Sequence, residues 1–208
     1  MPSNHATRNA SASAQSKRRR RADAERSVAR IQDAAVDALA SDPEASMAEI
    51  ARRAGVVRAT IYVHFPTRES LLEAVTERAI AEVTQAMAAA EPDLGDPAEA
   101  LHRVLTAAWR ELGRFHSLVG INTRRPPAEL RRLHRPVLAL LQPLIERGQH
   151  AGTFRSNVPP AWHLSMLLAL IHAASGELQS NRLPAAEIES ALATTVLGAL
   201  SATGGNGP

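Results

Sequence analysis

Apolar residues recur at steps of three and four along most of the chain, the spacing that places side chains on one face of an α-helix. The first such run stops at the polar residues 41–44. Residues 46–49 then read S-M-A-E, a capping box in which each end residue's side chain bonds the other's backbone amide. This box begins a short helix with Met47 on its inner face. The helix ends at Gly55, and another short helix runs to Phe65, so the pattern predicts two short helices joined by a tight glycine turn.

The same spacing predicts helices in the rest of the chain. Thr67 can cap a long fourth helix whose apolar stripe extends to Met87, and Asp96 with the proline after it begins a fifth. Residues 130–145 form a further apolar stretch with a break or kink at its prolines. The glycine and prolines within 151–160 predict a loop.

Residues 161–174 are apolar nearly all round, which a helix tolerates only when both of its sides are covered. One cover is the domain core, and the other could be a second copy of the chain. A last helix follows Pro184. We therefore expect a dimer interface on these two helices. The candidate interface residues are Leu164, Leu168, Ile171, Leu192, Val196 and Ala199.

Composition narrows the class of protein. The chain of 208 residues has no cysteine, which excludes disulfides, thiolate metal sites and cysteine nucleophiles, and we expect an intracellular protein. No segment has the roughly 18 consecutive apolar residues of a membrane span, and no apolar segment typical of a secretory signal follows the basic cluster. We therefore predict no membrane partner.

Charge is concentrated at the N-terminus. Residues 1–30 carry eight basic and two acidic side chains, a net +6, whereas the rest of the chain carries a net −3. A basic end on a mildly acidic body is the asymmetry expected when one end meets a polyanion. The run Lys17 to Arg21 is either a solvated tail or an arm that adds non-specific attraction to phosphates.

Residues 46–68 carry the most informative motif. Gly55 allows the sharp turn of a helix-turn-helix, and the second helix presents Arg58, Thr60, Tyr62 and His64 outward. These hydrogen-bonding groups suit phosphates or base edges, and a recognition helix places its N-terminal residues in the major groove.

This region resembles the DNA-binding domain of the TetR family of one-component repressors, over about residues 26–79. Ile50-Ala51, Ala54-Gly55-Val56, Thr60, Tyr62, His64-Phe65 and Glu69 stand at the family's positions. The resemblance implies that Thr60, Tyr62, His64 and Arg68 contact phosphates. Arg58 stands at a variable position from which an arginine could read guanine.

The chain departs from the family pattern at two positions. Val57 replaces a capping serine or threonine, and Ala59 replaces a glycine. Val57 and Val63 could instead touch a thymine methyl group. The candidate DNA-contacting residues are Ser46, Met47, Val57, Arg58, Thr60, Tyr62, His64 and Arg68.

The resemblance implies an all-α protein with two folded domains. Residues 23–67 form a three-helix helix-turn-helix DNA-binding domain and residues 68–203 a helical ligand-binding and dimerisation domain. A disordered basic tail is expected over residues 1–22 and a disordered end over residues 204–208. Several C-terminal side chains combine apolar walls with polar groups, as small-molecule pockets do. The candidate ligand-binding residues are Trp109, Phe115, His116, His134, Trp162 and Met166.

Enzyme chemistry finds no support in the sequence. None of the eight histidines forms an H-x-x-x-H or H-E-x-x-H pair suited to zinc, and no nucleophile elbow, P-loop or dinucleotide glycine pattern occurs. His163 and His172 lie nine residues apart, on opposite sides of one helix, and are interpreted as core or interface residues. We predict no catalytic residue, metal or cofactor.

The resulting hypothesis is a cytoplasmic, homodimeric transcriptional regulator that is associated with the nucleoid when bound to DNA. Its expected partners are a palindromic double-stranded operator, a second copy of itself and an unidentified small-molecule effector, and the resemblance favours a repressor. The alternative is a constitutive nucleic-acid-binding protein driven by its Arg-rich tail, without a small-molecule effector.

Overall fold

The computed structural model describes residues 4–122, 125–180 and 182–202. These residues form α-helices joined by turns and short loops, without a β-strand among them. The helices are α1 Asn4–Ser41, α2 Met47–Arg53, α3 Arg58–His64, α4 Arg68–Ala89, α5 Pro97–Leu112, α6 His116–Asn122, α7 Pro127–Leu133, α8 Arg135–His150, α9 Pro160–Gln179 and α10 Ala185–Leu200. The predicted all-α class with an N-terminal helix-turn-helix is confirmed.

Helix α1 is longer than the sequence pattern predicts. The disordered tail was expected over residues 1–22, but α1 begins at Asn4 and continues to Ser41. The physical reason is local: alanine, arginine, lysine and glutamine have high helix propensity, so this segment favours a helix without any apolar stripe. Lys17 to Arg21 are exposed on this helix. The disordered end expected over residues 204–208 lies outside the described residues.

The chain divides into two compact units, one up to Val75 and one from Thr76 onward. This boundary falls inside α4 rather than at the predicted position between residues 67 and 68. In the first unit, α1 packs on α2 and α2 on α3. Its core consists of fully buried aliphatic side chains such as Ile31, Leu39 and Ile61.

The second unit is a helical bundle. Helix α9 packs against α6, α8 and α10, and α5 packs against α8 and α10. The predicted N-cap of α5 is confirmed, since Asp96 accepts from the backbone amides of Ala98 at 2.8 Å and Glu99 at 3.2 Å. The predicted break at Pro136 is also confirmed, because α7 ends at Leu133 and a new helix begins at Arg135. Pro143 lies inside α8.

The predicted loop after α8 is confirmed and is held against the end of α10. Arg155 N donates to Leu200 O at 2.8 Å, and Ala202 N donates to Thr153 O at 3.2 Å. Phe154, between these contacts, is fully buried. Within the described ranges, no helix is both long and apolar enough to cross a bilayer.

Candidate nucleic-acid interface and apolar cavity

The turn between α2 and α3 depends on Gly55. Its φ of +64° lies in the left-handed region that glycine adopts without strain. Val56 N donates to Ala51 O at 3.0 Å, which closes the end of α2 onto the turn. The predicted tight glycine turn is therefore confirmed, and it sets the direction in which α3 leaves α2.

At the start of α2, one of the two hydrogen bonds of the predicted capping box forms. The Ser46 hydroxyl accepts from Glu49 N at 3.2 Å, as expected. The Glu49 carboxylate does not bond back to Ser46. It accepts from Arg52 Nη2 at 2.6 Å and Arg53 Nε at 2.8 Å. These hydrogen bonds, from Arg52 first, lower the pKa of the Glu49 carboxyl to about 2. The two arginines outcompete a neutral amide because they supply charge-assisted bonds.

One face of α3 is buried and the other is open to solvent. Ile61 is fully buried in the first unit, whereas Val57 and Val63 are 70% and 79% exposed. The Arg58 guanidinium carbon lies 5.7 Å from the centroid of the exposed Tyr62 ring, within the range of a cation–π contact. The open face thus combines a guanidinium held over an aromatic ring with two exposed valines.

The remaining candidate DNA contacts occupy different environments. Ser46 is exposed, and Thr60 and His64 are half-buried. Met47 is only 6% exposed, so its side chain packs in the core of the first unit rather than facing solvent. It shares the inner face of α2 with Ile50, as the helical spacing requires.

Arg68 is directed at its own domain. Its Nε donates to Ala45 O at 3.3 Å and its Nη2 donates to Pro43 O at 2.6 Å. The side chain therefore ties the first turn of α4 to the loop between α1 and α2. Next to it, Thr67 Oγ1 accepts from Ser70 N at 3.1 Å, which confirms the predicted N-cap of α4.

The second unit encloses an apolar cavity of about 70 Å³. Pockets that hold drug-sized ligands have volumes of roughly 300–1,000 Å³, so such a ligand would have to widen this one. The cavity is bounded by α4, α5, α6, α8 and α9 together with Phe115 and His134. Its described lining residues are Thr76, Ala79, Ile80, Val83, Met87, Leu105, Ala108, Leu112, Phe115, Leu118, Val119, Asn122, His134, Val137, Leu141, Leu168, Ile171 and His172.

Two of the six candidate ligand residues, Phe115 and His134, line this cavity. The other four lie elsewhere. Trp109 is buried in the core and Trp162 is 64% exposed. His116 and Met166 are half-buried but are not among the described lining residues. His172, interpreted from the sequence as a core or interface residue, lines the cavity instead.

His134 and His172 form a pair at the cavity wall. Their ring centroids lie 5.6 Å apart and the rings meet edge to face at 82°. His134 Nδ1 lies 2.9 Å from Leu130 O and donates to it in the neutral tautomer that this contact favours. Burial lowers the pKa of both imidazoles, and the neighbouring His134 lowers that of His172 further. Burial thus favours the neutral form of both rings.

Comparison with known proteins identifies the class of this fold. The family model for bacterial regulatory proteins of the tetR family matches residues 31–75, which include the helix-turn-helix. The HTH-type transcriptional repressor LfrR of Mycolicibacterium smegmatis is 30% identical over 177 residues, which cover 83% of this chain and 89% of LfrR. The chain belongs to the TetR family of bacterial regulatory proteins. It is thus a DNA-binding transcriptional regulator, as the helix-turn-helix motif predicted.

Other known proteins are similar to part or all of this chain. The HTH-type transcriptional repressor NicS of Pseudomonas putida is 32% identical over 108 residues, 47% of this chain, and the match spans only 50% of NicS. The crystal structure of LfrR from Mycobacterium smegmatis in complex with proflavine superposes with a TM-score of 0.63 at 25% identity, covering 84% of this chain and 97% of LfrR. The fatty acid degradation regulator FadR of Bacillus halodurans has a TM-score of 0.69 at 20% identity, covering 82% and 98% of the two chains, and shows the fold alone.

Most candidate dimer residues of this TetR-family chain face inward. Leu164, Leu192 and Val196 are buried in the chain's own core, and Leu168 and Ile171 line the cavity. Ala199 is half-buried. Leu164, Leu192 and Val196 are thus covered within one chain, whereas Leu168, Ile171 and Ala199 are half-buried, and an interface on these residues stays a prediction. The exposed positions of these two helices are mainly small residues, with Trp162 in the first turn of α9 as a large exception.

Metal binding was not predicted, and the described residues offer no group of three or more histidine, aspartate or glutamate side chains arranged to hold an ion. His134 and His172 therefore have no carboxylate beside them with which they could form such a metal site in the part of the chain that is described.

Proposed function

We propose that this chain is a repressor that binds a palindromic operator as a homodimer through α3 of each subunit, and that a small molecule in the apolar cavity releases it. The observation that carries the proposal is the open face of α3. It presents Arg58, Tyr62 and Val63 to solvent while Ile61 anchors the opposite face. Packing alone gives no reason to expose two valines and a tyrosine on one short helix. NicS and LfrR are both transcriptional repressors, which favours the same direction of regulation.

The proposed DNA contacts follow from exposure. Arg58 reads a base edge, and an arginine bidentate to guanine contributes about 1–3 kcal/mol of discrimination. Val57 and Val63 touch thymine methyl groups. Ser46, Thr60, Tyr62 and His64 bind phosphates. Met47 is buried and takes no part, and Arg68 is assigned to holding the α1–α2 loop. Such a regulator acts in the cytoplasm and associates with the nucleoid when it is bound to DNA.

The test of DNA binding is selection of bound sequences from a random double-stranded DNA pool at moderate salt. We expect the wild-type protein to enrich a palindromic motif. Tyr62→Ala should lose most of this enrichment, because it removes both the hydroxyl and the ring beneath Arg58. Tyr62→Phe is the matched control, since it keeps the ring and removes only the hydroxyl. If the wild-type protein enriches no motif at any salt concentration, operator recognition by α3 is refuted.

The basic run of α1 separates this proposal from tail-driven binding. Replacing Arg18 to Arg21 by glutamine in the full chain removes charge and keeps helix propensity. We expect overall affinity and its salt dependence to fall while the enriched motif is unchanged, because phosphate contacts carry no base information. Loss of all binding together with the motif would instead favour the constitutive nucleic-acid-binding alternative.

The proposed dimer forms through the outer faces of α9 and α10. Ala169, Ala173 and Gly176 are exposed along α9, and Ala191 and Gly198 along α10. Small residues allow helix backbones to approach closely, which suits a bundle of two helices from each subunit.

Ala173→Glu tests the dimer, because a carboxylate in a helix–helix interface is buried without a partner. We expect the variant to be monomeric by sedimentation equilibrium and to retain the wild-type helical circular dichroism. Ala139→Glu, at an exposed position of α8, is the control and should remain dimeric. A dimeric Ala173→Glu variant would refute this interface.

The cavity is the proposed effector site. The crystal structure of LfrR contains proflavine, so a relative with the same fold binds a small molecule. Helix α4 supplies lining residues from Thr76 to Met87 and begins at Arg68 in the DNA-binding unit. A ligand releases the operator only if it binds the released state more tightly than the DNA-bound state.

A further inference from the structure

The polar groups in the cavity wall divide into two sets. Thr76 and Asn122 are buried and bonded to each other, since Asn122 Nδ2 donates to Thr76 Oγ1 at 3.2 Å. Asn122 Oδ1 accepts from Arg125 Nε at 2.8 Å. This amide and hydroxyl are therefore already occupied within the protein.

The second set is the histidine pair. The Nδ1 atom of His134 is taken by Leu130 O, whereas no described residue bonds to its Nε2 atom. Neither ring nitrogen of His172 has a hydrogen-bond partner among the described residues, and its ring edge meets the His134 ring. Two neutral imidazoles thus offer at least one acceptor and one donor to a molecule in the cavity.

The rest of the described wall carries no charge. Fourteen of the eighteen described lining residues are aliphatic, phenylalanine or methionine, and none is acidic or basic apart from the two histidines. A charged ligand buried here would lose its hydration without gaining a counter-ion, which costs far more than burying a neutral polar group that is hydrogen-bonded.

We propose that the cavity binds an uncharged, mainly apolar molecule with one hydroxyl group, which hydrogen-bonds to the His134–His172 pair while the apolar body packs against the aliphatic wall. This ligand class rests on the proposed function of the cavity as an effector site.

The test uses four probes of nearly equal shape and the full-length protein in isothermal titration calorimetry at pH 7.5. They are 4-tert-butylbenzyl alcohol, its cationic amine analogue 4-tert-butylbenzylamine, its anionic analogue 4-tert-butylbenzoate, and 4-tert-butyltoluene without a polar group. We expect the alcohol to bind at least about tenfold more tightly than either charged analogue, since each tenfold in affinity is about 1.4 kcal/mol. Tighter binding of the amine or the benzoate, or no binding of the alcohol, overturns the proposal.

His172→Phe tests the hydrogen bond, because phenylalanine keeps an aromatic ring against His134 and removes both ring nitrogens. We expect the alcohol to lose about tenfold in affinity while the toluene analogue is unaffected. An equal loss for both probes would show a packing effect and overturn the assigned hydrogen bond. If circular dichroism shows that His172→Phe is unfolded, His134→Phe is used in its place. The affinities of this variant for the alcohol and for the toluene analogue are then compared in the same way.

DNA release is measured separately on the selected operator. A protein that binds the alcohol but keeps its operator refutes the effector role and leaves the ligand class intact. A protein that releases its operator only with a charged probe refutes the ligand class and leaves the effector role intact.

Discussion

Gly148, near the end of α8, lies where a larger residue would collide with the core. A Cβ atom built at this position would lie 2.0 Å from Cδ2 and 2.4 Å from Cε2 of Phe154. The Phe154 ring is fully buried, and its backbone N donates to Gly148 O at 2.9 Å. Neither the ring nor its backbone can move away without breaking contacts that hold the loop after α8 to the end of α10. Gly148→Ala should therefore destabilise the second unit.

The magnitude follows from two opposing effects. Overpacking of a well-packed core costs about 1–3 kcal/mol. Replacing glycine by alanine inside a helix gains roughly 0.5–1 kcal/mol from backbone entropy. The steric cost is the larger effect because the contact is with a buried ring rather than with the end of a flexible side chain. We expect Gly148→Ala to lower the free energy of unfolding by about 0.5–2 kcal/mol.

Urea unfolding followed by tryptophan fluorescence measures this change. Both tryptophans lie in the second unit, and Trp109 is buried there, so the signal reports on the unit that contains Gly148. All variants are compared at one protein concentration, because dimerisation would make apparent stability depend on concentration.

The control is a double-mutant cycle with Phe154→Ala, which removes the ring and itself costs about 3–5 kcal/mol. In that background Gly148→Ala should cost nothing or stabilise the protein. A Gly148→Ala variant as stable as the wild type, or a cost that is the same with and without the Phe154 ring, would refute a collision between Cβ and that ring.

Three further changes test individual features of the fold. Gly55→Ala should lower the free energy of unfolding of the first unit by about 1–2 kcal/mol, because alanine is strained at positive φ. Gly55→Asn should lower it less, since asparagine tolerates this conformation better. Equal losses for the two variants, measured by circular dichroism during thermal unfolding, would contradict backbone strain at this position. The Glu49 pKa of about 2 predicts that its bonds to Arg52 and Arg53 stabilise the fold above pH 4.5 and are lost as the pH falls toward 2. An NMR titration of the Glu49 carboxyl with a midpoint near the ordinary glutamate value of 4.5 would contradict this prediction. Asp96→Ala should cost about 0.5–2 kcal/mol in urea unfolding whereas Asp96→Asn should not, since asparagine keeps the capping oxygen.

The helix-turn-helix was predictable because its signals are local. A capping serine, a glycine at the turn and the spacing of apolar residues all act within a few residues of one another. The same spacing also predicted that Met47 lies on the inner face of α2, where the structure places it. The bonding of Glu49 was missed for another reason. A capping box and an ion pair with arginines three and four residues later compete for one carboxylate, and sequence alone does not rank them.

The cavity could not be predicted from local pattern. His134 and His172 stand 38 positions apart in the sequence, and only the packing of α9 against α8 brings their rings together. Of the two tryptophans predicted to bind a ligand, Trp162 is exposed in the first turn of α9 and Trp109 packs in the core. The wall is instead mainly aliphatic, and aliphatic residues in a helical sequence look the same whether they face a cavity or fill a core.

The small size of the cavity has a consequence for the choice of effector. A cavity of 150 Å³ is large enough for benzene, whereas this one measures about 70 Å³. Protein interiors are close-packed and do not widen without displacing a helix or a set of side chains. A ligand that exceeds the cavity therefore binds a displaced state and favours it, while a ligand that fits without displacement favours the state described here and does not drive the chain out of it. Operator release should accordingly follow ligand size more closely than ligand affinity, so small tight binders are expected to be poor effectors.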